Sequence, residues 1–217
     1  MFSARICKIV MAYRSSDKTR QKKDAKRTAM MQAAVQVFAE KGYYAATVRD
    51  IVQAAEVAIG TFYFYFPDKE TLFVHLYEET ADFLLQTIDQ AVRSRTEIAQ
   101  QISRGIQAYV NIAIYEPAVV QLLLVGGVGA VPSLEAKRST FRERLVRLWQ
   151  RPLDQAIDQG TIPDQNSRRV AEAFAGAFDE VVLQLLALPE PEQAAVSAVQ
   201  ELTLFGLRAI AFRGNPP

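Results

Sequence analysis

The 217-residue chain has the composition of an ordinary soluble globular protein: half of its residues are hydrophobic and 23% are charged. Its formal charge of +1 hides an uneven distribution. Residues 1–70 contain twelve Lys or Arg and seven Asp or Glu, a net charge of +5, whereas residues 71–217 carry −4. A negatively charged partner such as nucleic acid would therefore bind the N-terminal third.

The chemistry-bearing residues argue against an enzyme. The single cysteine, Cys7, excludes an internal disulfide and a zinc site built on cysteines. The single histidine, His75, argues against a His/Cys metal centre and has no nucleophile turn near it. We therefore expect no catalytic residue, no metal and no cofactor.

The N-terminal sequence does not match a secretory signal, and no window has the roughly eighteen uninterrupted apolar residues of a membrane span. We therefore expect a cytoplasmic protein without a membrane partner. Residues 1–23 form a predicted basic, flexible arm, which is either a solvated tail or an additional contact to a DNA backbone or minor groove. Met1 and Met11 are both candidate start residues.

Helical periodicity begins at Asp24, with apolar residues three and four positions apart, and Gly42 is a predicted stop. Thr47 then begins a short helix, because Thr47 and Asp50 have the spacing of a reciprocal capping box. A break at Glu56 separates it from a second short helix. Two short helices around a tight turn are typical of a helix-turn-helix DNA-binding motif.

The remaining sequence is predicted to be helical throughout, without a strand pattern or an internal repeat. Asp68 is a predicted cap for a helix that extends to about Arg95. Further helices are expected at about 98–115, 118–125, 134–160, 164–188 and 192–212. The predicted fold class is all-α, with an N-terminal three-helix helix-turn-helix domain at 24–67 and a larger helical domain at 68–217.

The sequence EKGYYAATVRDIVQAAEVAIGTFYFYFPDKETL, with Arg27 and the AAVQVF run ahead of it, resembles the N-terminal domain of the TetR family of transcriptional regulators. The resemblance covers about residues 27–72. It implies a homodimeric repressor that binds a palindromic operator in double-stranded DNA and is released by a small hydrophobic effector. It also implies that residues 68–217 form the effector-binding and dimerisation domain. A ligand-independent or protein-gated regulator, and a helical carrier with an incidental helix-turn-helix, are the alternatives.

The resemblance implies DNA contacts for residues on both short helices and at the start of the next. These residues are Thr47, Arg49, Gly60, Thr61, Tyr63, Phe64, Tyr65 and Lys69. Hydroxyl groups, ammonium groups and helix N-termini are the usual phosphate partners, and an exposed Phe64 could pack on a thymine methyl. Lys69 matches a phosphate-binding lysine of the family.

Neighbouring positions have other expected roles. Phe62 and Phe66 are expected in the core beneath the recognition helix. Two positions depart from the family pattern. Glu56 stands where the family often has Gly in the turn, and Ala58 stands where Ser or Thr often caps the recognition helix. The turn is therefore expected to be strained or differently shaped, and the missing cap should cost about 1 kcal/mol.

The resemblance further implies an effector pocket and a dimer interface in the larger domain. The pocket candidates are Ile106, Tyr109, Trp149, Phe174 and Phe178, with an apolar lining. The interface candidates, on the last two helices, are Ala171, Ala175, Val182, Leu202 and Phe205. Intrachain core is the competing explanation for both sets, because the same apolar stripe serves either purpose.

Overall fold

The computed structural model describes residues 18–129 and 131–214, with side chains described from residue 25 onward. Within these residues the regular structure is entirely helical, which confirms the predicted fold class. The described helices are α1 (Lys18–Ala45), α2 (Val48–Ala54), α3 (Ile59–Tyr65), α4 (Lys69–Arg93), α5 (Ile98–Tyr115), α6 (Pro117–Leu124), α7 (Leu134–Asp158), α8 (Ser167–Leu186) and α9 (Pro191–Ala209). No helix in this part of the chain is both long and apolar enough to cross a membrane.

The predicted helix starts and stops are confirmed where local chemistry determines them. Gly42 has φ 71° and ψ 168°, which breaks the helical path near the end of α1. Thr47 and Asp50 form both halves of the capping box at α2. The carboxylate of Asp68 accepts a hydrogen bond from the Thr71 amide at 2.6 Å, which caps α4. Gly160, with φ 68°, follows the end of α7.

The start of α1 differs from the sequence expectation. The helix begins at Lys18 rather than at Asp24, so residues 18–23 of the predicted arm are helical. Lys, Arg and Gln have high intrinsic helix propensity, which favours a helix here without apolar periodicity. The rest of the predicted arm, residues 1–17, lies outside the described residues.

The chain divides into two compact units. The first comprises the chain up to Phe83 together with Ala118–Arg138, and the second comprises Leu84–Pro117 together with the chain from Ser139. Helices α4 and α7 each contribute residues to both units. The functional boundary expected between residues 67 and 68 remains a prediction.

In the first unit, α1, α2 and α3 enclose a small aromatic core. Phe62 is 0% and Phe66 is 1% exposed, which confirms the inward positions expected for both rings. Phe38 contacts Phe73 edge-on, with ring centroids 4.8 Å apart. Arg27 reaches from α1 to Glu79 on α4 with a 2.8 Å ion pair. The core thereby fixes α3 with the opposite face turned outward.

In the second unit, α5 packs against α8 and α9. At the centre of the unit, the backbone of α5 lies very close to Trp149. A Cβ atom built on Gly105 would lie 2.6 Å from the Trp149 ring and 2.8 Å from Val92. Glycine is therefore required for α5 to lie this near the ring. Trp149 in turn meets Phe178 edge-on at 5.1 Å.

Candidate nucleic-acid interface and effector site

The outer face of α3 consists of residues that share one side of a short helix. Ile59, Gly60, Tyr63 and Phe64 are all exposed, while Phe62 between them is buried. Positions one turn apart stack on the same face of a helix, so this grouping follows from the spacing. Tyr63 is 55% and Phe64 65% exposed, and nothing lies within 4 Å of a Cβ built on Gly60. The face offers two aromatic side chains and an unobstructed backbone.

The start of α3 carries both departures expected from the sequence. Glu56 has φ 54°, a left-handed conformation that costs a non-glycine residue about 1–2 kcal/mol. Ala58 occupies the N-cap position without a side-chain hydrogen bond. The strained turn and the missing cap are therefore both confirmed.

The N-terminus of α2 is held by a polar cluster. Thr47 accepts from the Asp50 amide at 3.1 Å, and its hydroxyl donates to the Asp50 carboxylate at 2.8 Å. Lys41 binds the other carboxylate oxygen of Asp50 at 2.7 Å. The hydrogen bonds from Lys41 and Thr47 lower the pKa of Asp50 to about 2. A phosphate contact by the Thr47 hydroxyl would have to compete with Asp50, whereas Arg49 is exposed beside it.

Lys69 is bound within the first unit. Its ammonium group donates to the carbonyl oxygen of Tyr43 at 2.6 Å and to that of Ala46 at 2.8 Å. It also lies 4.3 Å from the centre of the Tyr43 ring. Burial lowers the pKa of Lys69. Two of the three ammonium hydrogens thus hold the segment immediately before Thr47, and the phosphate role implied by the resemblance remains a prediction.

The other candidate DNA contacts lie beside the outer face of α3. Thr61 and Tyr65 are half-buried at its flanks. Two further exposed side chains here were not predicted from the sequence: Tyr44 is 77% and Ile59 is 45% exposed. Tyr44 follows the break at Gly42 and stands three residues before Thr47, and a second tyrosine at this place is the signal that could have identified it.

The five predicted pocket residues come together in the core of the second unit. Ile106, Tyr109, Trp149, Phe174 and Phe178 are each 1% exposed. Phe174 stacks on Phe178 with ring centroids 5.2 Å apart. Trp149, Phe178 and Phe174 therefore form one packed aromatic cluster, and Ile106 and Tyr109 are buried in the same unit. An effector pocket at these residues remains a prediction.

A polar network that the sequence did not predict lies beside this cluster. Tyr109 on α5 donates to Asp179 on α8 at 2.7 Å, and Arg142 on α7 binds the second carboxylate oxygen of Asp179. Burial raises the pKa of Tyr109 well above its ordinary value, so its hydroxyl stays protonated and remains a donor. Arg142 thus has an inward partner that its sequence position did not predict, and the apolar lining of an effector pocket remains a prediction. Asp179 lies four residues after Ala175 and three before Val182, both on the buried face of α8, and this spacing could have identified it.

The predicted interface residues divide into two groups. Ala171, Ala175, Val182 and Leu202 are buried within the single chain, so their side chains have no surface left for a second copy. Phe205 is 45% exposed. For the first four residues, intrachain packing is the explanation that holds, and the proposed interface is revised accordingly below.

A separate surface depression of about 340 Å³ lies in the second unit. The residues that line it have polar or charged side chains, and none of the predicted pocket residues is among them. They are Arg95, Gln100, Ser103, Arg104 and Gln107. Among the described residues, no group of three or more His, Cys, Asp or Glu side chains is arranged to hold a metal ion.

Two family models match this chain. Residues 30–76 match the model described as bacterial regulatory proteins, tetR family. Residues 99–207 match the tetracyclin repressor-like C-terminal domain, which spans half of the chain. The first match covers α2, α3 and most of α1, and the second covers α5 to α8 with most of α9.

Individual proteins are similar over most of their length. The uncharacterized HTH-type transcriptional regulator YfiR of Bacillus subtilis is 25% identical over 200 residues, covering 88% of this chain and 95% of that protein. The fatty acid metabolism regulator protein of the same organism is 25% identical over 165 residues, covering 70% and 79%. The crystal structure of the transcriptional regulator FadR from Bacillus subtilis in complex with stearoyl-CoA superposes with a TM-score of 0.71 at 20% identity, covering 81% of this chain and 96% of that chain.

Proposed function

Because this chain belongs to the TetR family of bacterial regulatory proteins, we propose that it is a homodimeric repressor released from a palindromic operator by a small hydrophobic ligand. The observation that carries the DNA-binding part is the outer face of α3. Tyr63 and Phe64 are exposed there although both have large apolar rings. Neighbouring large rings that are exposed on one helix face mark a surface that binds a partner.

In this proposal α3 enters the major groove. Gly60 lets a phosphate or base edge come close to the helix backbone, because no side chain stands in the way. Tyr63 donates from its hydroxyl to a phosphate, and Phe64 packs on a thymine methyl. Thr61 and Tyr65 contact the DNA from the flanks. Arg49 supplies a charge from α2, and the N-terminus of α2 at Thr47 faces the backbone.

Two copies are needed because one short helix touches few bases. Helix-turn-helix dimers place their recognition helices about 34 Å apart, one turn of DNA. The revised interface consists of exposed apolar residues on or beside the last two helices. Leu188, Val196, Leu204 and Phe205 are 46%, 68%, 36% and 45% exposed, respectively. Apolar side chains at these positions would be buried when α8 and α9 meet their counterparts.

The ligand part rests on the aromatic cluster around Trp149. FadR, which shares the fold, was solved in complex with stearoyl-CoA. We propose that the present protein likewise binds an amphipathic molecule with a long apolar part, because the cluster offers rings and aliphatic side chains. A ligand acts on DNA binding only if it binds two arrangements of the protein with different affinity.

Helices α4 and α7 would transmit the change. Within the first unit, Glu78 on α4 binds Lys137 near the start of α7, and Glu70 at the start of α4 accepts from Ser133. Farther along, α7 carries Arg142 and Trp149. A shift of α7 on ligand binding would therefore act on α4, whose first residue is Lys69.

Footprinting on DNA from upstream of the protein's own gene tests the proposal. We expect protection of two half-sites about one helical turn apart, with affinity that falls steeply as salt rises. Tyr63→Ala should abolish protection, whereas Tyr115→Ala, which removes an equally exposed tyrosine from α5, should not. Stearoyl-CoA should release the DNA while sedimentation still reports a dimer. Salt-independent binding, or none, would contradict the DNA-binding part.

A further inference from the structure

The Tyr109–Asp179–Arg142 network reaches from the core of the second unit to its surface. Tyr109 is 1% and Asp179 is 9% exposed, while the Arg142 side chain is 45% exposed. Each oxygen of the Asp179 carboxylate has one partner, Tyr109 on one side and Arg142 on the other. Because Arg142 and Asp179 neutralise each other, the network carries no net charge.

Beside this network lies a buried donor without an acceptor. The indole Nε1 of Trp149 has no hydrogen-bond partner among the described residues, although the side chain is 1% exposed. A buried N–H group left unpaired is unfavourable, and such groups are rare in folded proteins. The Trp149 ring lies against Gly105, one helical turn before Tyr109 on α5. Trp149 also stands two helical turns after Arg142 on α7, and its ring meets Phe178, the residue before Asp179. The Trp149 side chain and the network are therefore neighbours in the core.

We infer that Trp149 and the Tyr109–Asp179–Arg142 network bind the polar end of the effector, and that they select an uncharged acceptor such as an ester or thioester carbonyl over a free carboxylate. This inference rests on the proposed function, since it specifies the chemistry of the ligand that would release the DNA.

The selection follows from charge. A carbonyl oxygen satisfies the Trp149 N–H group without bringing a charge into the core. A carboxylate would meet an Arg142 that is already neutralised and would lie near a second anion, Asp179. Like charges repel more strongly in a low-dielectric interior than in water. Burial raises the pKa of Asp179, which indicates that this environment already disfavours negative charge.

The apolar part of the ligand would lie along the aromatic cluster. Phe174 stacks on Phe178, which meets the Trp149 ring edge-on, and all three rings are buried. Rings and aliphatic side chains bind an acyl chain through contact area rather than direction. The ligand class is therefore a neutral ester, thioester or ketone with an extended apolar tail.

Two probes of equal chain length, decanoate and methyl decanoate, test the selection. Trp149 is the single tryptophan of the chain, so its fluorescence reports binding at this site in the full-length protein. We expect methyl decanoate to shift the Trp149 emission and to bind at least about fivefold more tightly than decanoate, the factor of one net hydrogen bond. Equal affinity, or tighter binding of decanoate, would overturn the inference.

The variant Asp179→Asn provides a second test of the ester preference. The amide keeps the shape of the side chain and frees the Arg142 charge, so decanoate should gain at least about fivefold relative to the ester. Asp154→Asn removes an equal charge from an exposed position on α7 and should leave the ratio unchanged. An unchanged ratio in Asp179→Asn would also overturn the inference.

Trp149→Phe keeps a ring in the cluster and removes the N–H group. Measured by calorimetry, the affinity of this variant for methyl decanoate should be about fivefold weaker, and its affinity for decanoate should be unchanged. If the role of Trp149 were purely structural, the affinities for both probes would change alike. DNA release by stearoyl-CoA, measured in parallel, separates the two proposals. Release without a Trp149 response or an ester preference overturns this inference alone. Ester binding at Trp149 without release contradicts the ligand-release part of the proposed function, and the absence of any binding overturns the inference.

Discussion

Lys69 donates a hydrogen bond at 2.6 Å to the carbonyl oxygen of Tyr43 while its ammonium group lies 4.3 Å from the centre of the Tyr43 ring. The same ammonium group donates a second hydrogen bond to the carbonyl oxygen of Ala46, the residue directly before Thr47. The lysine thus connects the first residue of α4 to the segment that leads into α2. The end of α1 and the start of α2 are thus held by a residue for which the family resemblance implies a phosphate contact.

Replacing this lysine distinguishes the two roles. Lys69→Met should lower the free energy of unfolding of the DNA-free protein by about 2 kcal/mol, because charge-assisted bonds to two carbonyl groups are lost. Denaturant unfolding measures this loss, and Lys26→Met, at an exposed position on α1, is the control. An unchanged stability together with a salt slope of DNA binding reduced by about one would instead assign Lys69 to a phosphate.

Gly60→Ala should separate stability from DNA binding. The added methyl group meets nothing within 4 Å, so the variant should be as stable as the parent or more stable by up to about 1 kcal/mol. On the outer face of α3 the methyl group would obstruct the approach of DNA, and operator affinity should fall about tenfold or more, equivalent to about 1.4 kcal/mol. Gly176→Ala, on α8, should leave operator affinity unchanged. Full affinity in Gly60→Ala would mean that DNA does not approach this position.

Glu56→Gly should stabilise the protein by about 1 kcal/mol. The left-handed backbone at φ 54° is unfavourable for glutamate and free of strain for glycine, although part of the gain is offset by the greater freedom of glycine in the unfolded chain. Denaturant unfolding measures the change. Glu40→Gly, at an exposed position within α1, should destabilise by about 1 kcal/mol. A loss of stability in both variants would show that strain at Glu56 is relieved by its surroundings.

Asp50 should make the first unit sensitive to acid. Its pKa lies at about 2 in the folded protein and at 3.8 ordinarily, because Lys41 and Thr47 bind the charged form. The stabilisation is therefore fully present above pH 3.8 and is lost as pH falls through about 2. Between pH 5 and pH 2, the midpoint temperature of thermal unfolding should fall more steeply for the wild type than for Asp50→Asn. Parallel curves for the two proteins would show that Asp50 does not contribute to the acid sensitivity.

Gly105→Ala should disrupt the core of the second unit. The new methyl group would lie 2.6 Å from the Trp149 ring, and overpacking of this kind costs about 1–3 kcal/mol. Gly206→Ala brings a methyl group to 3.3 Å from Ile102, a milder contact, and should cost less. Thermal unfolding with Trp149 fluorescence as the probe ranks the two variants. The reverse order would indicate that the tryptophan ring moves aside.

The sequence predicted those features that depend on neighbours along the chain. The cap at Thr47, the break at Gly42 and the strained turn at Glu56 arise within a few residues, so their chemistry is visible in the sequence. The inward positions of Phe62 and Phe66 follow from their helical spacing. Resemblance is what marks α3 as the predicted recognition helix, because periodicity alone would leave it as one short helix among several.

Features made by distant contacts were beyond such reasoning. Asp179 meets Tyr109 across 70 positions of the sequence, and Lys69 meets Tyr43 across 26. Which polar side chains pair at that range depends on how helices approach one another. The same limit applies to Ala171 and Val182, because an apolar stripe has the same pattern whether it packs within one chain or against a second copy.

The exposed rings on α3 have a consequence for the protein away from DNA. Tyr63, Phe64 and Ile59 leave an apolar strip in water on a helix that begins without a side-chain cap. Such a strip is available to any apolar surface, including another copy of itself. Concentrated DNA-free protein should therefore scatter light, and an operator duplex should restore clarity. The side chains proposed to contact DNA should thus make the protein less soluble in the absence of its target.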